Sequence, residues 1–264
     1  GGYLVTGAWA KKAAKEASFM GSSITIASSE DKNFNYIPKN YSLENNIDYF
    51  HVTSNNTIFG TQIKNFYNGE IPLACDMSSD IFSRKINIED FDLIYAGAQK
   101  NMGPAGTTLY ICKKEILGKS SVPIPTMLDL KTHSDKDSMF NTPPVFPIYA
   151  SMLNLRWLKR IGGLSYIEEQ NEKKSELIYN QIDNSSLFLG TANKEDRSSM
   201  NVTFILTNDA LNETFNKMLV EANINGLKGH RSVGGFRASI YNAMSFESVS
   251  ILVEIMKELE NKKG

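Results

Sequence analysis

Lys100 stands in the run Tyr95-Ala96-Gly97-Ala98-Gln99-Lys100-Asn101-Met102-Gly103-Pro104-Ala105-Gly106, just past an apolar stretch and among small residues. An amine with open space around it suits covalent capture of an aldehyde-bearing cofactor, because bulk there would exclude the cofactor's ring. The plainer reading is a solvated lysine in a glycine-rich turn, and spacing alone favours it. Asp76 shifts the balance. It ends the preceding apolar run, in Ala74-Cys75-Asp76-Met77-Ser78-Ser79, 24 residues before Lys100. One strand, a crossover and a second strand fit that interval, so both side chains can reach one edge of a sheet. Pyridoxal phosphate needs such a pair: an amine to hold its aldehyde and a carboxylate to keep its ring nitrogen protonated. Taken alone, Asp76 reads equally well as the cap of a following helix.

A second cluster lies near the C-terminus. The run Lys228-Gly229-His230-Arg231-Ser232-Val233-Gly234-Gly235-Phe236-Arg237 places two guanidinium groups and an imidazole within eight residues, spaced by glycines that permit close approach. Such a cluster can receive a ligand with two anionic ends. A basic surface hairpin is the plainer alternative. His51 and His133 have no partner at ligand spacing, so metal binding is unsupported and both read as structural. No Walker or Rossmann phosphate loop is present, which argues against nucleotide chemistry.

These residues need a scaffold, and the hydrophobic pattern outlines one. Residues 8–19 are rich in alanine and read as a surface helix. Short apolar or β-branched runs follow at 22–28, 48–52, 71–75, 91–95 and 107–112. Short buried strands joined by long crossovers imply a mostly parallel sheet of the α/β class, whose ligands bind at the carboxyl ends of the strands. Beyond residue 145 the texture changes. Residues 147–161 and 166–182 read as helices separated by Gly162-Gly163. A strand at 200–206, a helix at 210–222, a strand at 236–241 and a helix at 245–260 complete the pattern. A boundary near residue 165 divides a large domain, 1–165, from a small α+β domain, 166–264.

The composition is that of a globular protein and excludes other classes. The 264 residues carry 28 Lys+Arg and 29 Asp+Glu, a formal net charge of −1, which gives no electrostatic case for nucleic acid or an anionic membrane as partner. At 41% hydrophobic and 22% charged residues, the chain has material for a sizeable core. No run approaches the length of a membrane-spanning helix, so a soluble protein is expected. Cys75 and Cys112 lie in apolar runs and read as buried free thiols of a reducing, cytoplasmic compartment.

With these segments in view, the sequence resembles the phosphoserine aminotransferases, class-V pyridoxal-phosphate enzymes of the fold-type I group. The resemblance spans essentially the whole chain. It rests on Gly7-Ala8-Trp9-Ala10, Asn56-Thr57-Ile58, Asp76-Met77-Ser78-Ser79 and residues 96–106, 138–144 and 228–242, all in the family's order. It implies that Lys100 is the Schiff-base lysine and Asp76 the partner of the pyridinium nitrogen. Trp9 is implied to stack on the cofactor ring, Thr57 to bond its phenolic oxygen and Gln99 to bind its phosphate. Core packing for Trp9 and a turn hydroxyl for Thr57 remain the structural alternatives, and Ser78 reads as a cap in preference to a supporting hydroxyl. Asn141 and Thr142 are implied to reach the phosphate of a neighbouring subunit, hence a homodimer. Arg237 is implied to hold the substrate α-carboxylate, and His230 with Arg231 its phosphate or side-chain carboxylate.

The activity implied is transfer of an amino group from glutamate to 3-phosphohydroxypyruvate, giving phosphoserine and 2-oxoglutarate in serine biosynthesis. A second implied substrate is 4-phosphohydroxy-L-threonine of pyridoxine biosynthesis. The rivals are alanine–glyoxylate aminotransferases and cysteine desulfurases of the same fold, or a binding-only form of the chain. An uncharged substrate side chain would not require the extra cationic pair, and a desulfurase needs a mobile cysteine. The resemblance further implies a preceding segment with a glycine-rich phosphate turn and a His-Arg pair, which makes residues 3–5 an interior strand.

Overall fold

The computed structural model describes residues 1–43, 46–231 and 233–263, the side chain of residue 263 excepted. Ser232, within the basic cluster, therefore lies outside the described residues. The first sheet has six strands: β1 (Gly2–Val5), β2 (Ile24–Ser28), β3 (Phe50–Thr53), β4 (Leu73–Asp76), β5 (Leu93–Gly97) and β6 (Thr108–Cys112). Their order is β2-β1-β3-β4-β5-β6. The first five run parallel, and β6 returns antiparallel along β5. β1 has a neighbour on each side, as expected of an interior strand.

One helix, α1 (Ala8–Ala17), follows β1 and packs alanines 13, 14 and 17 against Tyr3, Val5, Phe34 and Phe59. Small side chains let the helix approach the sheet closely, which accounts for its alanine content. On the other face, Leu4, Phe50, Val52, Leu73, Cys75 and Ile94 form a buried apolar layer. Strands buried on both faces need near-continuous apolar runs, and these runs were the strongest sequence signal. The crossovers from β3 to β4 and β4 to β5 contain no α-helix.

A short helix, α2 (Leu130–Ser134), precedes α3 (Val145–Arg160) and α4 (Gly163–Asn184). α3 ends at Arg160 with Ile161 as its C-cap, and both Gly162 and Gly163 adopt positive φ, 122° and 69°, where the chain turns sharply into α4. The expected boundary at residue 165 thus falls in the first turn of α4. The second sheet is antiparallel, in the order β7 (Phe188–Gly190), β8 (Asn201–Leu206) and β9 (Phe236–Ser239). With α5 (Asn212–Glu221) and α6 (Phe246–Lys263) it encloses a separate core around Phe204, Phe215, Met256 and Leu259. The architecture is α/β, a large mostly parallel sheet with a smaller antiparallel α+β unit.

Two expectations need correction. Cys75 is buried, but Cys112, at the end of edge strand β6, is only half-buried because no further strand covers it. Asp76 caps no helix, since turns follow it; its carboxylate Oδ1 accepts from the Ser78 backbone N–H at 2.8 Å. Among the described residues no helix is long and apolar enough to cross a membrane, and no group of three His, Cys, Asp or Glu could hold a metal.

Candidate active site

Parallel strands carry their carboxyl ends to one edge, and the sequence-predicted residues follow those ends. β1 leads into Gly7 and Trp9, β3 into Thr57, β4 ends on Asp76, and β5 leads into Gln99 and Lys100. Register aligns them: Thr53 pairs with Asp76, and Asp76 with Tyr95. The Lys100 ammonium donates to Thr57 Oγ1 at 2.7 Å, bridging the β5 turn to the β3 loop. Lys100 is half-buried. Burial is the largest influence on its amine and pushes it below the ordinary lysine value; Asp76 opposes this, Arg237 adds to it and Asp80 opposes it. Arg237 pairs with Thr203 across β8 and β9, and the Thr203 hydroxyl donates to the Phe59 carbonyl at 3.0 Å in the loop after β3, so the second sheet reaches the same edge.

The turn that carries Lys100 is held from behind. Gly103 approaches α3 so closely that a Cβ there would collide with Ser151. Asn154, on the same helix, donates to the carbonyls of Asn101 at 2.9 Å and Met102 at 3.1 Å. Ser78 supports the site, as its hydroxyl accepts from the Gly97 N–H at 3.2 Å. Thr57 is buried and its hydroxyl faces the lysine amine, which is more than a turn-stabilising role.

Trp9 is not packed into the core. Its ring is 49% exposed at the strand-end edge, with the Lys12 ammonium 4.7 Å from the ring centroid. Gln99 is exposed in the turn before Lys100. His230 and Arg231 lie in the turn before β9, where the His230 carbonyl accepts from Val233 and Gly234 N–H at 2.9 Å each. Arg237 is partly buried on β9, and its Nε has no partner among the described residues. Asn141 and Thr142 lie in the exposed stretch between α2 and α3, and no hydrogen bond joins either to Lys100 or Asp76. One chain therefore brings together Lys100, Thr57, Asp76 and Arg237, with Trp9 and Gln99 on the same edge, and leaves Asn141 and Thr142 facing outward.

Several residues near the site carried no sequence signal. Asp80 is buried and accepts from Ser54 and, at 3.1 Å, from Gln62 Nε2, with Arg84 at 3.3 Å. His51, on β3, places Nε2 3.0 Å from the Tyr95 hydroxyl. Burial pushes its imidazole down to about 4, against the opposing charge of Asp76. Asn55 ties this region to the second sheet by donating to Asn201 Oδ1 at 2.8 Å. Only the pairing of β3, β4 and β5 could have brought His51 against Tyr95, and register is not legible in one strand's sequence.

The residues present fit a pyridoxal-type cofactor. A desolvated amine, a fixed carboxylate and a half-exposed indole share one strand-end edge. Among the described residues the buried Thr53 Oγ1 and Arg237 Nε have no partner, which leaves hydrogen-bonding capacity for an anionic ligand.

Comparison with known proteins agrees. Residues 3–252 match the family model described as aminotransferase class V. A phosphoserine aminotransferase of Flavobacterium psychrophilum is 62% identical over 260 residues, covering 98% of this chain and 73% of its own length. The solved phosphoserine aminotransferase of Bacillus circulans subsp. alkalophilus superposes with a TM-score of 0.96 at 44% identity, over 100% of this chain and 74% of that one. That of Trichomonas vaginalis, solved with pyridoxal phosphate bound, has a TM-score of 0.90 at 34% identity, over 97% and 74%.

Proposed function

We propose, from the premise that this chain belongs to the class-V aminotransferases and within them to the phosphoserine aminotransferases, that the strand-end cluster around Lys100 is its catalytic centre. The reaction is transfer of the amino group of glutamate to 3-phosphohydroxypyruvate, yielding phosphoserine and 2-oxoglutarate, with pyridoxal 5′-phosphate as cofactor. When bound, that cofactor supplies the electron sink for bond breaking at the substrate Cα.

The chain's own residues supply the rest. Lys100 would hold the cofactor through its amine, and that amine is the group placed to carry the proton at the substrate Cα. Its burial favours the neutral, proton-accepting amine at a lower pH than for a free lysine. Asp76, fixed by the Ser78 N–H, keeps the ring nitrogen protonated. Thr57 accepts from the Lys100 amine and would bond the phenolic oxygen, and Trp9 would offer its flat face to the ring. Gln99 binds the cofactor phosphate, joined by Asn141 and Thr142 of the neighbouring subunit in a homodimer. Their outward position in one chain supports that assignment.

Arg237 takes the α-carboxylate common to both substrates, in a bidentate geometry that a guanidinium suits. His230 and Arg231 take the second anionic end, the side-chain carboxylate of glutamate or the phosphate of the keto acid. 4-Phosphohydroxy-L-threonine carries the same two anionic ends and fits the same receptor. In this reading residues 1–165 hold the cofactor, residues 166–264 bring Arg237 to it, and the free thiols suit a cytoplasmic location.

The convergence of Lys100, Thr57, Asp76 and Arg237 carries the proposal. Its test is glutamate-dependent turnover of 3-phosphohydroxypyruvate against pyruvate and glyoxylate. The phosphorylated acceptor is expected to be preferred, and preference for an unphosphorylated one would overturn the substrate assignment.

A further inference from the structure

Asn101, the residue after Lys100, is 6% exposed and spends both ends of its carboxamide on other segments. Its Nδ2 donates to the Ile81 carbonyl at 3.2 Å, in the turns that follow Asp76. Its Oδ1 accepts from the Asn242 backbone N–H at 3.0 Å, just beyond β9. Asn242 is itself pinned. Its Nδ2 donates to the Phe82 carbonyl at 2.9 Å, and its Oδ1 accepts from Asn171 of α4 at 2.9 Å. The flanking chain is held as firmly, because the buried Lys174 ammonium donates to the carbonyls of Ile240 at 3.1 Å and of Tyr241 and Met244 at 3.0 Å each.

One side chain thus joins the segment after Asp76, the Lys100 turn and the end of the strand that carries Arg237. A carboxamide is the group that can do this, offering a donor and an acceptor in a fixed fork. Leaving either buried partner unpaired is costly, so the carboxamide holds the three segments in one arrangement. We propose that Asn101 is a positioning residue for the amino-transfer reaction, setting the Lys100 amine relative to both Asp76 and Arg237. It touches neither substrate nor cofactor and acts through Lys100. The proposal rests on the reading of Lys100 given above.

The test compares Asn101→Ala with the parent and with Met256→Ala, a cavity in the distant second core that lowers stability without contacting the site. In the cofactor-free protein, acetylation of Lys100 is followed against pH by mass spectrometry of its peptide. The groups that set this midpoint are Thr57 as partner and Asp76, Asp80 and Arg237 as charges. Loosening the turn admits water, so the midpoint in Asn101→Ala rises toward the ordinary lysine value, and the loaded enzyme loses about 10-fold or more in kcat. Met256→Ala leaves the midpoint unmoved. An unchanged midpoint and kcat in Asn101→Ala would overturn the proposal, as would an equal shift in Met256→Ala. If Asn101→Ala does not fold, Asn101→Ser, which keeps one hydroxyl in place of the fork, carries the same comparison. Lys100→Ala separates the two claims: a variant that still forms the visible band of lysine-bound cofactor refutes the site reading and not the role of Asn101 alone.

Discussion

His51 shows how a residue with no assigned chemistry still constrains the site. Its imidazole is buried on β3 between the rings of Tyr3 and Tyr95, with Nδ1 unpartnered among the described residues. Burial holds its folded value at about 4 against 6.5 for the ordinary group. Between those values the unfolded chain binds a proton that the folded chain refuses, so the contribution is full above about 6.5 and lost as pH falls through about 4. The full shift corresponds to at most about 3 kcal/mol, at 1.36 kcal/mol per unit. Thermal melts from pH 7 to 4 should show a steep acid loss in the parent and a shallower one in His51→Asn, whose own stability is lower throughout. Parallel slopes would contradict this reading of His51. Lys100 and Asp76 were legible as residues because their types and flanking small side chains limit what they can do. His51, Asp80 and Asn101 were not, since each takes its meaning from segments distant in sequence.

At the scale of elements, the carboxyl ends of β1, β3, β4 and β5 do the positioning, and their apolar runs announced them within two or three residues. The antiparallel return of β6 had no such signature, because a buried apolar run reads alike in either direction. β7, three residues long, was missed for want of length. The basic hairpin before β9 depends on a glycine for a steric reason. The Gly229 N–H donates to the Gly235 carbonyl at 2.8 Å, and a Cβ on Gly229 would run into the Gly234 carbonyl oxygen. Gly229→Ala must therefore open the hairpin that carries His230 and Arg231. The expected result is a KM for the phosphorylated acceptor raised about 10-fold, in line with 1.5–3 kcal/mol for a bond to a charged group, with the melting temperature little changed. An unaltered KM would show that this hairpin does not bind the substrate.

Across the whole molecule, buried polar contacts join the two sheets, Asn55 bonding Asn201 and Asn101 bonding Asn242. The surface is less evenly finished. Val145 and Phe146, at the start of α3, are 70% and 72% exposed, and Phe140, Ile148 and Tyr149 nearby are also exposed. Exposed apolar side chains grouped in this way are what a partner surface would cover, and they are close in sequence to Asn141 and Thr142. The homodimer proposed above would bury them. Light scattering should give twice the chain mass, and Phe146→Glu should shift the population to monomer with loss of turnover; a monomeric, active parent would contradict the shared site. The chain spans 73% of the length of its Flavobacterium psychrophilum relative.

The most direct test of the central claim is the position of the cofactor itself. The protein is loaded with pyridoxal 5′-phosphate, reduced with borohydride, digested and mapped by mass spectrometry. The account predicts the cofactor's mass on the peptide containing Lys100, and none after Lys100→Ala. Cofactor fixed on any other lysine, or retained by Lys100→Ala, would contradict it.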